Sequence, residues 1–205
     1  MKHLLLIRHG LPHEGHPTRA DDPPLLEEGH AQAERLAQRL LGEGIDRIVC
    51  SPQQRARDTA APLARLLGLT PEVIDGLAEV DRFAGRYRSG ETLFAEGRWS
   101  EFVASPARYM GRDPAEYHDT VMSALESIAN DARGTRIAVF SHGMTIKTML
   151  FGAMGMYEEA LGQLTTTHCS VSRLVGNGFE RFRLLHEAPR PTRVLRIESV
   201  NERLA

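Results

Sequence analysis

The chain has 205 residues, 41 % apolar and 25 % charged, which fits one globular domain with an insertion and argues against collagen, long disorder or a coiled coil. Its 25 basic and 27 acidic side chains give a formal charge of −2, which argues against nucleic-acid binding through a whole-surface field. Two cysteines, Cys50 and Cys169, are too few for a disulfide scaffold or a four-cysteine zinc site, and no apolar run approaches the roughly 20 residues of a membrane span.

The short apolar start ends in Arg8-His9 and lacks the core of a signal peptide, so a soluble, cytoplasmic protein is expected, with no membrane partner. All but two of the basic residues, Lys2 and Lys147, are arginines, whose planar forks suit phosphate and carboxylate.

Residues 4–7 form an apolar run bounded by polar residues, the pattern of a buried parallel strand. Residues 25–41 follow as a helix, with Leu26, Ala33, Leu36, Ala37 and Leu40 near helical spacing and Gly42 as its stop. Ile45, Ile48 and Val49 mark a second strand. Ser51-Pro52-Gln53-Gln54 then reads as a helix start, with Ser51 as cap and Gln54 at the capping-box position. That helix carries Ala56, Ala60, Leu63, Leu66 and Leu67, and Gly68 ends it.

A weak strand is expected near Val73 and Ile74. Residues 81–119 are aromatic and glycine-rich and carry little regular order. Helix resumes over 114–132, followed by a strand over 137–140 and a helix over 145–154. Residues 168–175 and 179–185, joined by Gly176-Asn177-Gly178, read as a hairpin, and 187–205 as a tail with a short element over 194–197. The expected fold is α/β: a mostly parallel mixed sheet with helices on both faces.

Such sheets bind ligands beyond the carboxyl ends of their parallel strands. Here those ends deliver Arg8-His9-Gly10, then Ser51-Pro52 with Arg55 beyond, then Ser141-His142-Gly143. Arg55 near a helix N-terminus is opposed by the macrodipole, by about 0.3–1 kcal/mol when exposed, unless an anion lies between them. Guanidinium forks, imidazole donors and helix-end amides on one edge point to a phosphoryl site.

Together with Ser51-Pro52-x-x-Arg55-Ala56-x-x-Thr59, these three strand ends resemble the histidine phosphatase superfamily, the phosphoglycerate-mutase-like proteins. The resemblance runs over residues 4–185. Its further marks are Pro24-Leu25-Leu26-Glu27-Glu28-Gly29, Ala33-Glu34, Leu77-Ala78-Glu79 and Ser170-Val171-Ser172-Arg173-Leu174. It implies a three-layer α/β sandwich that needs no metal and no other cofactor. It further implies that His9 is phosphorylated, that Arg8, Arg55 and His142 hold the phosphoryl oxygens, and that Glu79 donates the proton. Residue chemistry agrees with those roles: His9 must attack as neutral imidazole with one ring nitrogen fixed by an acceptor, and Glu79 must be protonated when ester is bound.

Four departures from the family pattern bear on the substrate. Leu11-Pro12-His13-Glu14 follows Gly10 where the family has Glu or Gln and then a hydroxyl residue. Tyr87-Arg88-Ser89-Gly90 stands for a Trp-Glu-Gly stretch, Met144 for a small residue, and His168 for Asn.

The histidines outside the motifs, His168 among them, read as surface or structural. A zinc pair of His13 and His16 is opposed by Gly15 and Pro17, which break a helix there. Residues 81–119 read as a cap that selects the leaving group, with Arg82, Arg86, Arg88 and Arg98 as candidates for a second anionic group; the plainer alternative is a second small core.

The expected activity is metal-independent hydrolysis of a small-molecule phosphomonoester through phospho-His9. The alternatives are a phosphoglycerate mutase and a non-catalytic phospholigand-binding module.

Overall fold

A computed structural model describes residues 1–156, 164–179 and 195–202. The strands are β1 (Lys2–Arg8), β2 (Arg47–Cys50), β3 (Glu72–Val73), β4 (Arg136–Ser141), β5 (Val171–Gly176) and β6 (Leu195–Glu202), in the sheet order β3-β2-β4-β1-β5-β6. β1 to β4 run parallel, while β5 and β6 add antiparallel pairs at one side.

The helices are α1 (Glu27–Leu40), α2 (Gln54–Leu67), α3 (Gly90–Ala95), α4 (Trp99–Ala104), α5 (Pro106–Tyr109), α6 (Pro114–Asn130) and α7 (Gly143–Ala153). The alternation of side chains along the central strands builds two cores. Leu5, Ile7, Ile48, Ala138 and Phe140 point to one face, covered by Leu36, Leu40, Ala60 and Leu63 of α1 and α2. Leu4, Leu6, Val49, Ile137 and Val139 point to the other, covered by Val121, Leu125, Ile146 and Leu150 of α6 and α7. Burial on both faces explains why residues 4–7 read as an unbroken apolar run. The result is the expected three-layer α/β arrangement.

Several local readings change. The stop after α1 falls at Gly44 rather than Gly42: a short 3-10 turn over Leu41–Glu43 intervenes, and Gly44 takes the left-handed φ of 67°. Leu26 and Leu66, counted with the core faces, are exposed. Ser51 does not cap α2, because the helix starts at Gln54 with Gln53 at the N-cap; the Ser51 hydroxyl lies before that cap and meets His142, and the Gln54 amide is held by Asp22 from a distant loop, at 2.9 Å.

Residues 81–119 are more regular than expected, since α3, α4 and α5 lie within them. Their hydrophobic side chains Leu93, Phe102 and Ala107 join the core under α6 and α7. Both edges of β5 are taken, by β1 and β6; the second arm of the expected hairpin is 179–185. Residues 180–185 of that arm lie outside the described residues. The stretch read as a tail supplies the sheet's edge strand through Leu195–Glu202.

Candidate active site

The parallel register fixes one edge. Arg8 pairs with Ser141, and Cys50 lies level with Phe140, so the residues that follow all three strands emerge side by side. The His9 amide donates to the Ser141 carbonyl at 3.0 Å, and the Ser51 amide to the Phe140 carbonyl at 2.9 Å. The chain then leaves the sheet at His9, Ser51 and His142 together. The His9 and His142 rings lie 5.1 Å apart.

His9 is buried, and its Nδ1 lies 2.8 Å from the Gly10 carbonyl oxygen. A carbonyl only accepts, so Nδ1 carries the proton and Nε2 keeps its lone pair. Burial, reinforced by the charge of Arg55, holds the pKa well below the usual imidazole range. The Gly10 amide in turn donates to Thr59 Oγ1 at 2.9 Å, and that hydroxyl donates to the Arg55 carbonyl at 2.7 Å. Thr59, the last residue of the Ser-Pro-x-x-Arg motif, thereby couples the first strand end to α2.

Arg55 is the second residue of α2 and is fully buried. One arm of its fork donates to both oxygens of Asp81, at 2.9 and 3.1 Å, and its guanidinium stacks 4.7 Å from the Tyr87 ring centre. Its Nε and Nη1 have no hydrogen-bond partner. The same holds for the buried Arg8 Nε, His142 Nδ1 and His168 Nε2. Unpartnered buried polar atoms are uncommon in folded proteins. Five of them around His9 are the mark of a ligand site with several donors.

His142 is the N-cap of α7, and burial and Arg55 push its pKa well down. Its Nε2 lies 2.7 Å from Ser51 Oγ. Glu79, nearly buried, accepts from the amides of Val80 and Met144 at 2.9 Å each, and from Tyr117 and Thr145 at 3.3 Å. Those donors favour the ionised form, but burial and the nearby Asp81 outweigh them and raise its pKa.

All five expected residues therefore meet at one place. Arg8, His9 and Glu79 line a cavity of about 470 Å³; Arg55 and His142 are not among its lining residues, and the His142 ring adjoins that of His9. Residues 81–119 supply much of the lining, including Tyr87, Leu93 and Trp99. Of the arginines considered there, Arg82 pairs with Asp75 and Arg98 with Glu101, and only Arg88 reaches the cavity, paired with Glu96 at 2.6 Å.

Three residues were missed or misread by the sequence reading. Asp81 is the partner that a buried Arg55 requires, and Gln53 bridges it to the Glu79 amide. Tyr87 packs on Arg55 and edge-on to His9 at 6.5 Å. His168, read as peripheral, lies with its ring 5.6 Å from His9, and burial pushes its pKa down to about 3. The cause is a turn in which the Cys169 amide donates to the Arg8 carbonyl and Cys169 takes a φ of 55°. The antiparallel direction of β5 was the available signal, because it returns the start of that strand to the end of β1.

His13 and His16 pack ring to ring at 5.0 Å in a loop. Among the described residues no group of three His, Cys, Asp or Glu side chains could hold a metal ion. No helix among them is long and apolar enough to cross a membrane.

A doubly covered, mostly parallel sheet presents two arginines and two histidines on one carboxyl edge, and comparison gives the family. The chain belongs to the histidine phosphatase superfamily, branch 1, whose model matches residues 4–186.

Among curated proteins it is 29 % identical over 182 residues, covering 85 % of each chain, to "Probable phosphoglycerate mutase GpmB" of Photorhabdus laumondii. The fold is that of a phosphoserine phosphatase from Entamoeba histolytica solved with 3-phosphoglyceric acid, with a TM-score of 0.72, 22 % identity, and coverage of 100 % of this chain and 98 % of that one. It is also that of a mycobacterial glucosyl-3-phosphoglycerate phosphatase, with a TM-score of 0.75, 20 % identity, and coverage of 98 % and 99 %.

Proposed function

We propose that this protein hydrolyses small-molecule phosphomonoesters through a phosphohistidine on His9, without a metal. The observation that carries the reading is the His9 tautomer: Gly10 holds Nδ1–H, and Nε2 is left as nucleophile inside a ring of unpartnered guanidinium and imidazole nitrogens. Family membership supports it.

Nε2 attacks phosphorus in line, and the ester P–O bond breaks. Arg8 Nε and Arg55 Nε and Nη1 receive the equatorial oxygens, meeting the developing charge that a metal would otherwise meet. Ser51 Oγ already accepts from the Gln53 amide at 3.2 Å; its proton, given to His142 Nε2, leaves Nδ1–H as another donor to the phosphoryl group.

Glu79, whose pKa burial and Asp81 raise, gives its proton to the departing alkoxide. The resulting carboxylate then takes a proton from the water that attacks phosphohistidine. Inorganic phosphate leaves, and both His9 and Glu79 return to their starting states. In this reading residues 81–119 form the cap over the leaving group.

The names of the curated relatives favour a second reading, a mutase in which the phosphoenzyme meets a second hydroxyl instead of water. One assay decides both questions. Phosphate release and isomer formation are measured with a panel of phosphomonoesters, in chelator, for the native protein beside His9→Ala. Release that exceeds isomer formation and disappears in the variant is expected. Turnover retained by His9→Ala overturns the phosphohistidine, and isomer formation that outpaces release decides for the mutase.

A further inference from the structure

The cavity beside His9 is lined by two unlike sets of side chains. Arg8, His9, Glu79 and Lys147 form the charged and polar set. Lys147 belongs to it because the charges that act on its buried ammonium are Arg8 and Glu79; burial pushes its pKa down to about 8. Leu93, Phe94, Trp99, Phe102, Met110 and Leu164 form an apolar wall.

This wall is packed rather than incidental. The Trp99 and Phe102 rings meet at 5.8 Å, and Phe102 meets Tyr109 edge-on at 5.6 Å. Gly90 lets Trp99 in close, since a Cβ there would lie 3.3 Å from the indole. Phe94, 73 % exposed, completes this wall.

The one basic side chain of residues 81–119 that lines the cavity, Arg88, is committed to Glu96. Among the described residues the segment 81–119 therefore brings no uncommitted cation to the cavity. A cavity of about 470 Å³ also exceeds what a three-carbon acid fills and falls in the range of pockets for larger ligands.

We infer that the alcohol released by this protein is apolar, a hydrocarbon chain or ring seated against Trp99, Phe102 and Phe94. This inference rests on the phosphatase reading for the word "released" but not for the ligand class, and the test separates the two.

Straight-chain alkyl phosphates from ethyl to hexyl share one leaving-group chemistry, so differences in kcat/KM report the cavity. Each methylene buried in the transition state should raise kcat/KM about fourfold, giving on the order of a hundredfold from ethyl to hexyl. Hexyl phosphate should also exceed 3-phosphoglycerate and phosphoserine. The non-hydrolysable alkylphosphonates of the same lengths, titrated calorimetrically, should tighten in parallel. Phe94→Ser, at an exposed position with little structural cost, should lower the hexyl-to-ethyl ratio several-fold.

A flat chain-length series, or preference for phosphoglycerate or phosphoserine, overturns the inference while leaving hydrolysis intact. Phosphonates that tighten with length while no ester is hydrolysed would sink the phosphatase reading and leave the ligand class standing.

Discussion

Arg55 and Asp81 form a closed pair behind the candidate nucleophile: one arm of the guanidinium donates to both carboxylate oxygens, at 2.9 and 3.1 Å, with both side chains buried. The pair fixes the guanidinium plane so that Nε and Nη1 stay directed away from Asp81, without hydrogen-bond partners, and with the Asp22 carboxylate 3.7 Å from Nη1. A buried carboxylate at this place also acts on Glu79, whose pKa it helps to raise. Asp81 is thus a positioning residue with two measurable effects.

Asp81→Asn should destabilise the fold by about 3 kcal/mol, because it strands a buried charge whose next carboxylate, Asp22, lies 3.7 Å away. It should also lower the pKa of Glu79, since the negative neighbour is gone. The proton donor is lost above that pKa, so the alkaline limb of the kcat/KM profile should move to lower pH. Denaturant unfolding measures the first effect and a pH–rate profile the second. An unmoved limb would remove Asp81 from the proton-donor argument.

Three depressed histidines make stability depend on pH with a definite sign. His9, His142 and His168 resist protonation in the fold, whereas in the unfolded chain each titrates near 6.5. Below that value the unfolded state binds more protons, so stability is full above pH 6.5 and falls on acidification. Glu79, with its raised pKa, opposes this by one proton below its folded pKa and above about 4.3. The net slope between pH 6 and 5 should be roughly 2–4 kcal/mol per pH unit. Replacing His168 with Asn should reduce it by about 1.4 kcal/mol per unit. Urea unfolding at half-unit pH intervals reads both numbers.

What the sequence made legible was the site's frame. The apolar run over residues 4–7 and the turn residues after each strand were sufficient, because buried parallel strands and their carboxyl ends are written in local pattern. Arg8, His9, Arg55 and His142 each stand next to such an end. Glu79 came from resemblance alone, since a carboxylate after a 3-10 turn has no local signature.

The partners were less accessible, because they are set by distance across the fold. Asp81 lies 26 residues from Arg55, and nothing local joins them. His168 depends on a long-range contact, the Cys169 amide on the Arg8 carbonyl, that no local pattern writes. Ser51 looked like a helix cap, but it lies before the cap and its hydroxyl meets His142.

His168 is expected to contact the phosphoryl group through Nε2, buried, unpartnered and 5.6 Å between ring centres from His9. With a pKa of about 3 the ring is neutral, so it can donate one hydrogen bond without repelling His9 as a cation would. His168→Ala should weaken inhibition by vanadate or phosphate about tenfold, the worth of one hydrogen bond to a charged group. His168→Asn, which keeps a donor, should recover part of that loss. Equal loss in both variants would assign the residue to packing.

Two glycines beside His9 allow close approach of backbone to backbone. A Cβ on Gly29 would fall 2.2 Å from the Leu11 carbonyl oxygen, and one on Gly10 would fall 2.6 Å from the Gly29 carbonyl oxygen. α1 therefore packs backbone to backbone against the segment that follows β1, with the Leu26 amide donating to the Leu11 carbonyl at 3.0 Å. Neither obstacle is a flexible side chain, so Gly29→Ala must displace one strand of backbone from the other. The expected cost is about 3 kcal/mol, or a Tm lower by roughly 6–12 °C for a chain of this size. Displacement also moves Gly10, whose carbonyl fixes the His9 tautomer, so kcat should fall with stability. Gly42→Ala is the matched control, because a Cβ there meets nothing within 4 Å. A Gly29→Ala protein as stable and as active as that control would refute the claim that this contact holds His9 in place.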